Sequence, residues 1–110
     1  MARKMNLLEA GKNVTEDFSL IDSIMSCMND RMTWLEEKEP ESEGQTYDNW
    51  EEKKNAFEEV LDLYEEAQGL IETIETEEDK EDAIEKLKEA DEALTNFQYE
   101  YGGLSRLKID

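Results

Sequence analysis

The chain of 110 residues has no histidine, one cysteine, one proline, and only 12 lysines and arginines. The lack of histidine removes the usual general base, the commonest metal ligand and the usual switch near neutral pH. With Cys27 alone no internal disulfide can form, so a reducing compartment, the cytoplasm, is expected. No apolar run approaches the roughly 18 residues of a membrane span, so no membrane partner is expected. The opening Met1–Glu9 lacks the apolar stretch of a secretory signal, which gives the same expectation. The shortage of cations excludes a protein that neutralises a phosphate backbone, so no direct nucleic-acid partner is expected. A chain of this length suits one domain, expected to span residues 1–110.

What is present is acid. Asp and Glu number 31, the formal net charge is −19, and the hydrophobic fraction is 37%. Low hydrophobicity with high net charge is the composition of disordered chains. The apolar residues are placed rather than scattered, however. Val14, Phe18, Ile21, Met25, Met28, Met32 and Leu35 recur at alternating spacings of four and three, a stripe along one helix face. Phe57, Val60, Tyr64, Ala67, Ile71 and Ile74 repeat the pattern, with Trp50 one heptad earlier. Ala83, Leu87, Ala90, Leu94, Phe97 and Tyr101 repeat it again. The stripes predict an all-α fold, a three-helix antiparallel bundle with short terminal segments. Its helices are expected at about 15–36, 48–75 and 78–101, with an acidic linker at 37–46 and a tail at 102–110.

Local signals set those boundaries. Thr15 is a candidate cap for the first helix, followed by Glu16 and Asp17. Residues 36–46 hold the only proline and five glutamates, as a solvated linker would. Asp48 followed by Glu51 has the spacing of a capping box for the second helix. The stripe breaks around Thr76–Asp79, predicting a short turn, and Gly102-Gly103 predicts a C-terminal stop. The terminal segments carry Leu7, Leu8, Leu104, Leu107 and Ile109, which either pack on the bundle or pair as two short strands.

The first helix differs from the others. Leu20, Ile24, Cys27 and Trp34 lie beside its main stripe and widen the apolar arc. A helix of this kind needs cover on two sides. It sits centrally between the other two, or it turns these four residues to a second copy as a dimer face.

Charge is distributed unevenly. Residues 1–35 carry a net −1 and residues 36–110 a net −18. With Phe57 and Val60 at core positions a and d, Glu51, Glu52, Glu58, Glu59, Asp62, Glu65 and Glu66 all fall at b, c or f and point outward. Glu85, Glu89 and Glu92 are outward on the third helix, with Asp91 on its flank. Like charges at i,i+3 and i,i+4 repel by a few tenths of a kcal/mol per pair. Solubility needs a net charge of only about 2–8 on a small domain. Residues 47–75 carry a net −8 over about 43 Å of helix, roughly one charge per 5 Å. A single DNA strand carries about one per 3.4 Å.

Motifs for chemistry are lacking. Met25, Met28 and Met32 beside Cys27 have ligand chemistry suited to Cu(I), but their helical spacing is that of deformable core packing. Cys27 has no histidine to activate it and lies on the apolar arc. Asp79–Ile84 places acids like a calcium loop, with Ile84 where the loop requires glycine. No phosphate-binding or C-x-x-C motif is present. Neither catalysis nor a cofactor is expected. Trp50, Tyr64, Phe97 and Tyr101 lie at core phase; Trp34 and Tyr99 do not, and each either covers a loop or anchors a partner.

In size, charge and helical patterning over residues 36–101, the chain resembles the acidic DNA-mimic class of phage anti-restriction and anti-CRISPR inhibitors. The resemblance implies an inhibitor in a bacterial host that occupies the basic nucleic-acid-binding surface of a defence nuclease or similar protein. Its site residues would be Glu51, Glu52, Glu58, Glu59, Asp62, Glu65, Glu66, Glu85, Glu89 and Glu92. Two other readings fit the same residues. One is an assembly module that homodimerises or docks a partner helix through the first helix, and the other is an immunity protein for a basic toxin.

Overall fold

A computed structural model describes residues 5–109. Among the described residues the regular elements are all helical: α1 (Leu7–Asn13), α2 (Leu20–Glu37), α3 (Gln45–Glu72) and α4 (Glu77–Tyr101), then a 3-10 turn at Leu104–Arg106. The all-α expectation stands and the count of three helices is corrected to four. The sequence expectations for residues 1–4 and 110 lie outside the described residues.

The extra helix, α1, forms in the N-terminal segment that precedes the predicted first helix, and that helix begins at Leu20 rather than near 15. The Val14–Phe18 spacing continues the stripe in sequence, but the backbone turns there. The Asn13 carbonyl accepts from the amides of both Glu16 and Asp17 at 3.0 and 3.1 Å, and Asp17 Oδ1 accepts from the Ser19 amide at 3.1 Å. Short polar side chains here offer the backbone local partners that compete with helix. Thr15 therefore caps nothing. The first cap is Asn6, whose Oδ1 accepts from the Glu9 amide at 2.8 Å and opens α1. Leu7, Ala10, Gly11 and Val14 then form a buried face of their own.

α3 begins earlier than the capping pattern predicts. Its N-cap is Gly44, and Asp48 lies inside the helix with its amide bonded to the Gly44 carbonyl at 2.9 Å. The Asp48–Glu51 capping box is therefore not used. At α4 the cap falls where the stripe breaks. The Thr76 hydroxyl accepts from the Asp79 amide at 3.1 Å, while Asp79 Oδ2 accepts from the Thr76 amide at 3.2 Å. α4 ends at Gly102 and Gly103, with φ of 72° and 87°, a region open mainly to glycine.

Two antiparallel pairs organise the bundle. Tyr101 meets Glu52 and Lys86 meets Glu66, so α4 runs back along α3. The Trp50 indole donates to the Leu35 carbonyl at 2.7 Å and Gln68 donates to Asp22 at 3.0 Å, so α2 also runs antiparallel to α3. α2 packs on α3 and α1, and α1 packs on α4. The predicted central place for the first helix is thus corrected: α3 has the central place, flanked by α2 and α4. The described terminal segments pack on the bundle and form no strands, meeting only at an isolated bridge between Asn6 and Lys108. The Leu7 amide donates to the Leu107 carbonyl and the Ile109 amide to the Met5 carbonyl, a one-residue antiparallel bridge, while Leu7, Leu104 and Ile109 join the core.

The core holds Ile21, Ile24, Met28, Phe57, Tyr64, Leu87 and Leu94, with Met25 and Met32 packed against it. Met25, Met28 and Met32 thus serve as packing. No helix among the described residues is long and apolar enough to cross a membrane.

Candidate interaction surface

Every carboxylate proposed from sequence as partner-binding lies on an exposed residue: Glu51, Glu52, Glu58, Glu59, Asp62, Glu65 and Glu66 on α3, and Glu85, Glu89 and Glu92 on α4. They do not form one ridge. At 3.6 residues per turn, Glu51, Glu58, Asp62 and Glu65 share an arc of about 60° on α3. Glu52, Glu59 and Glu66 share a second arc bordering α4. Contacts across the helix pair identify this border. Glu52 accepts from the Tyr101 hydroxyl at 3.3 Å, and Glu66 meets Lys86 Nζ at 3.2 Å. Lys86 also donates to Glu89 Oε2 at 3.1 Å. These bonds to Glu89 and Glu66 raise the Lys86 pKa. Three of the ten predicted carboxylates are therefore partnered within the chain; exposed pairs of this kind hold geometry more than they add stability.

Between the two helices lies a groove of about 250 Å³ with Ala56, Val60 and Leu63 on one wall, Ala93 and Phe97 on the other, and Glu59 and Glu100 at its edges. Sequence reasoning missed Glu100 and Lys86 as parts of this border. Their signal was the heptad, since both stand seven residues from Ala93, on its own face.

The apolar arc of α2 divides. Ile24 is fully buried, which removes it from any dimer face, and Leu20 and Cys27 are half-buried. Trp34 is 40% exposed, with the Arg31 guanidinium 3.8 Å from its ring centroid and Lys38 at 5.5 Å. Beside it a groove of about 490 Å³ is lined by Asp22, Ser26, Cys27, Asp30, Trp34 and Leu107, among others. Cations gather at this end. Burial lowers the Arg31 pKa and Arg106 lowers it further; burial lowers that of Lys53 and Arg31 adds to it. The near-neutral charge of the first 35 residues was visible in sequence. The meeting of Arg31 with Lys53 and Arg106 was not, because it depends on α2 lying against α3 and the tail. Tyr99 is 94% exposed on α4.

One buried polar node lies elsewhere. Tyr64 is fully buried, and neither its hydroxyl nor Asp91 Oδ1 has a hydrogen-bond partner among the described residues. Burial pushes both pKa values up, and the Asp91 charge adds to the rise at Tyr64. A side chain at Gly11 of α1 would run into both atoms.

Among the described residues no group of three His, Cys, Asp or Glu side chains could hold a metal ion. The chain matches no protein-family model, no curated protein and no solved structure.

Proposed function

We propose that this protein is an acidic helical inhibitor that binds the basic, nucleic-acid-handling surface of another protein through the outward faces of α3 and α4. The mechanism is charge mimicry of the anti-restriction or anti-CRISPR kind: carboxylates occupy positions that a partner's lysines and arginines reserve for phosphates. The observation that carries the reading is the pairing of the two acidic helices. Between Gln45 and Tyr101 the chain has 20 acids against five lysines, on two long helices held side by side. Two parallel rows of charge approach duplex density more closely than either helix alone. A cytoplasmic setting is part of the proposal. An immunity protein covering a basic toxin would use the same electrostatics with another target.

The test is capture from a bacterial lysate at low salt, followed by elution with duplex DNA or salt and identification of what elutes. A nucleic-acid-binding protein released by DNA, and no longer captured after Glu58, Glu59, Glu65 and Glu66 are changed to Lys, is the expected result. Retention of that protein by the four-lysine variant refutes the mechanism.

A second reading has its own observation, the exposed Trp34 beside the larger groove. On that reading α2 docks a second copy, and the acids only keep the chain soluble. A dimer in sedimentation that persists at high salt and is lost on Trp34→Glu favours assembly. A monomer favours the inhibitor.

A further inference from the structure

The groove between α3 and α4 gives the acidic surface an apolar floor. We propose that this seam docks a cationic amphipathic helix of the partner, its apolar residues in the groove and its lysines or arginines on the rims. The inference rests on the reading of the α3–α4 surface as a protein-docking face and specifies what the partner brings to it.

The seam is a depression because both helices place alanines there, Ala56 on α3 and Ala93 on α4, with Leu63 beside them. All three are only half-buried, so the floor is accessible apolar surface. An engineered cavity of about 150 Å³ accepts benzene, so about 250 Å³ has room for a large apolar side chain. The rims decide the occupant. Glu59 and Glu100 edge the groove, with Glu52 on the Tyr101 hydroxyl and Glu66 and Glu89 on Lys86. A second copy of this chain would bring like rims together. A neutral helix would bring no counter-charge to Glu59 and Glu100 at the groove's borders. A cationic amphipathic helix fills the floor and also satisfies the acidic edges. The larger α2 groove lacks this logic, because Asp22 and Asp30 face Arg31 and Lys108 around it.

The probe is a synthetic 18-residue lysine-rich helix carrying three leucines along one face, compared with the same peptide in which serines replace the leucines. Binding of each to the full chain is measured calorimetrically at 50 and 500 mM NaCl, and amide shifts locate it. The leucine peptide is expected to bind about tenfold tighter, since burial of one leucine accounts for that factor, and to retain that advantage at high salt. Its shifts are expected to centre on Ala56, Leu63, Ala93 and Asn96. Ala93→Gln is expected to reduce the advantage below about threefold while serine-peptide binding stays unchanged; Ala56→Gln repeats the test from α3 should α4 not tolerate the change.

Equal binding of the two peptides, lost together in salt, overturns the seam and leaves acidic docking standing. Shifts centred on Trp34 also overturn it. Failure of both peptides to bind at 50 mM NaCl overturns the seam and the docking face together.

Discussion

Gly11 is buried on the inner face of α1 with no room for a side chain, and replacing it tests the packing directly. A Cβ at this position would lie 2.7 Å from the Tyr64 hydroxyl, 3.0 Å from Asp91 Oδ1 and 3.2 Å from Leu94 Cδ2. The aspartate oxygen is the end of a half-buried side chain that can shift, whereas Leu94, like the tyrosine, is fully buried. The tyrosine ring is held in a fully buried site and cannot shift readily. Overpacking of this kind costs about 1–3 kcal/mol, against which alanine in a helix recovers about 0.5–1 kcal/mol relative to glycine. Gly11→Ala is thus expected to destabilise by about 1–2 kcal/mol, a fall in Tm of roughly 5–15 °C for a domain of this size. Tyr64→Phe removes the atom that the new methyl group meets. It also removes an unpartnered buried hydroxyl, so alone it is expected to be neutral or to stabilise by about 1 kcal/mol. In the Tyr64→Phe background Gly11→Ala should cost nothing or stabilise slightly, leaving a coupling of about 1–2 kcal/mol between the sites. Urea unfolding of the four proteins measures this, with Trp50 fluorescence as probe because its indole ties α3 to the Leu35 carbonyl. Effects of the two substitutions that add to within about 0.5 kcal/mol would refute this packing of α1.

Asp91→Asn is expected to stabilise at neutral pH. Burial raises the folded-state pKa of Asp91 above 3.8, partly offset by Lys12, so its destabilising contribution appears as pH rises through that range and is absent below it. The gain over wild type, followed by thermal unfolding from pH 3 to pH 7, should therefore vanish at the acid end. Thr76→Ala removes the α4 capping box and is expected to cost about 1 kcal/mol, read from urea midpoints with unchanged slope. Added NaCl up to about 0.3 M is expected to raise Tm, because the excess negative charge repels itself in the compact state and salt screens it; a Tm that falls would contradict this balance.

α3 and α4 were legible in the sequence almost to their ends because one signal governs them. Phe57, Val60, Tyr64 and Ala67 on one helix and Ala83, Leu87, Ala90 and Leu94 on the other keep the heptad, and all eight are buried. The N-terminal third was misread for the opposite reason. Val14, Phe18 and Ile21 maintain helical spacing across a segment whose polar residues turn the chain, so periodicity started the helix near 15 instead of at Leu20, and no stripe marked α1 before it. The corrective signal was local: Asn6 stands three residues before Glu9, and Asp17 can reach forward to Ser19. Asp48 shows the converse, a good capping residue that α3 passes by starting at Gln45. Outward phase identified the exposed carboxylates, but not their division into two rows, nor the groove between α3 and α4. Those depend on which flank of α3 meets α4, information that no single-helix pattern contains.

The acids also lie where the fold has least use for them. Negative side chains stabilise a helix in its first turn, where Glu77, Glu78 and Asp79 begin α4. Glu58, Asp62, Glu65 and Glu66 stand in the middle of α3, and Glu85, Glu89 and Glu92 in the middle of α4, beyond reach of that effect. Glu58 with Asp62, Asp62 with Glu66, and Glu85 with Glu89 are i,i+4 pairs of like charge, each unfavourable by a few tenths of a kcal/mol. Converting Glu58, Asp62, Glu65 and Glu85 to their amides should consequently stabilise the protein by about 1 kcal/mol, by relief of these pairs and of the general repulsion. A purely solubilising surface predicts that gain with no loss, since the remaining charge still exceeds the roughly 2–8 that solubility needs. A docking surface predicts opposite signs in one molecule: a higher Tm, and weaker capture of the basic partner with a shallower salt dependence. Measured side by side, a stabilised variant that binds as well as the wild type would leave these carboxylates without a role in recognition.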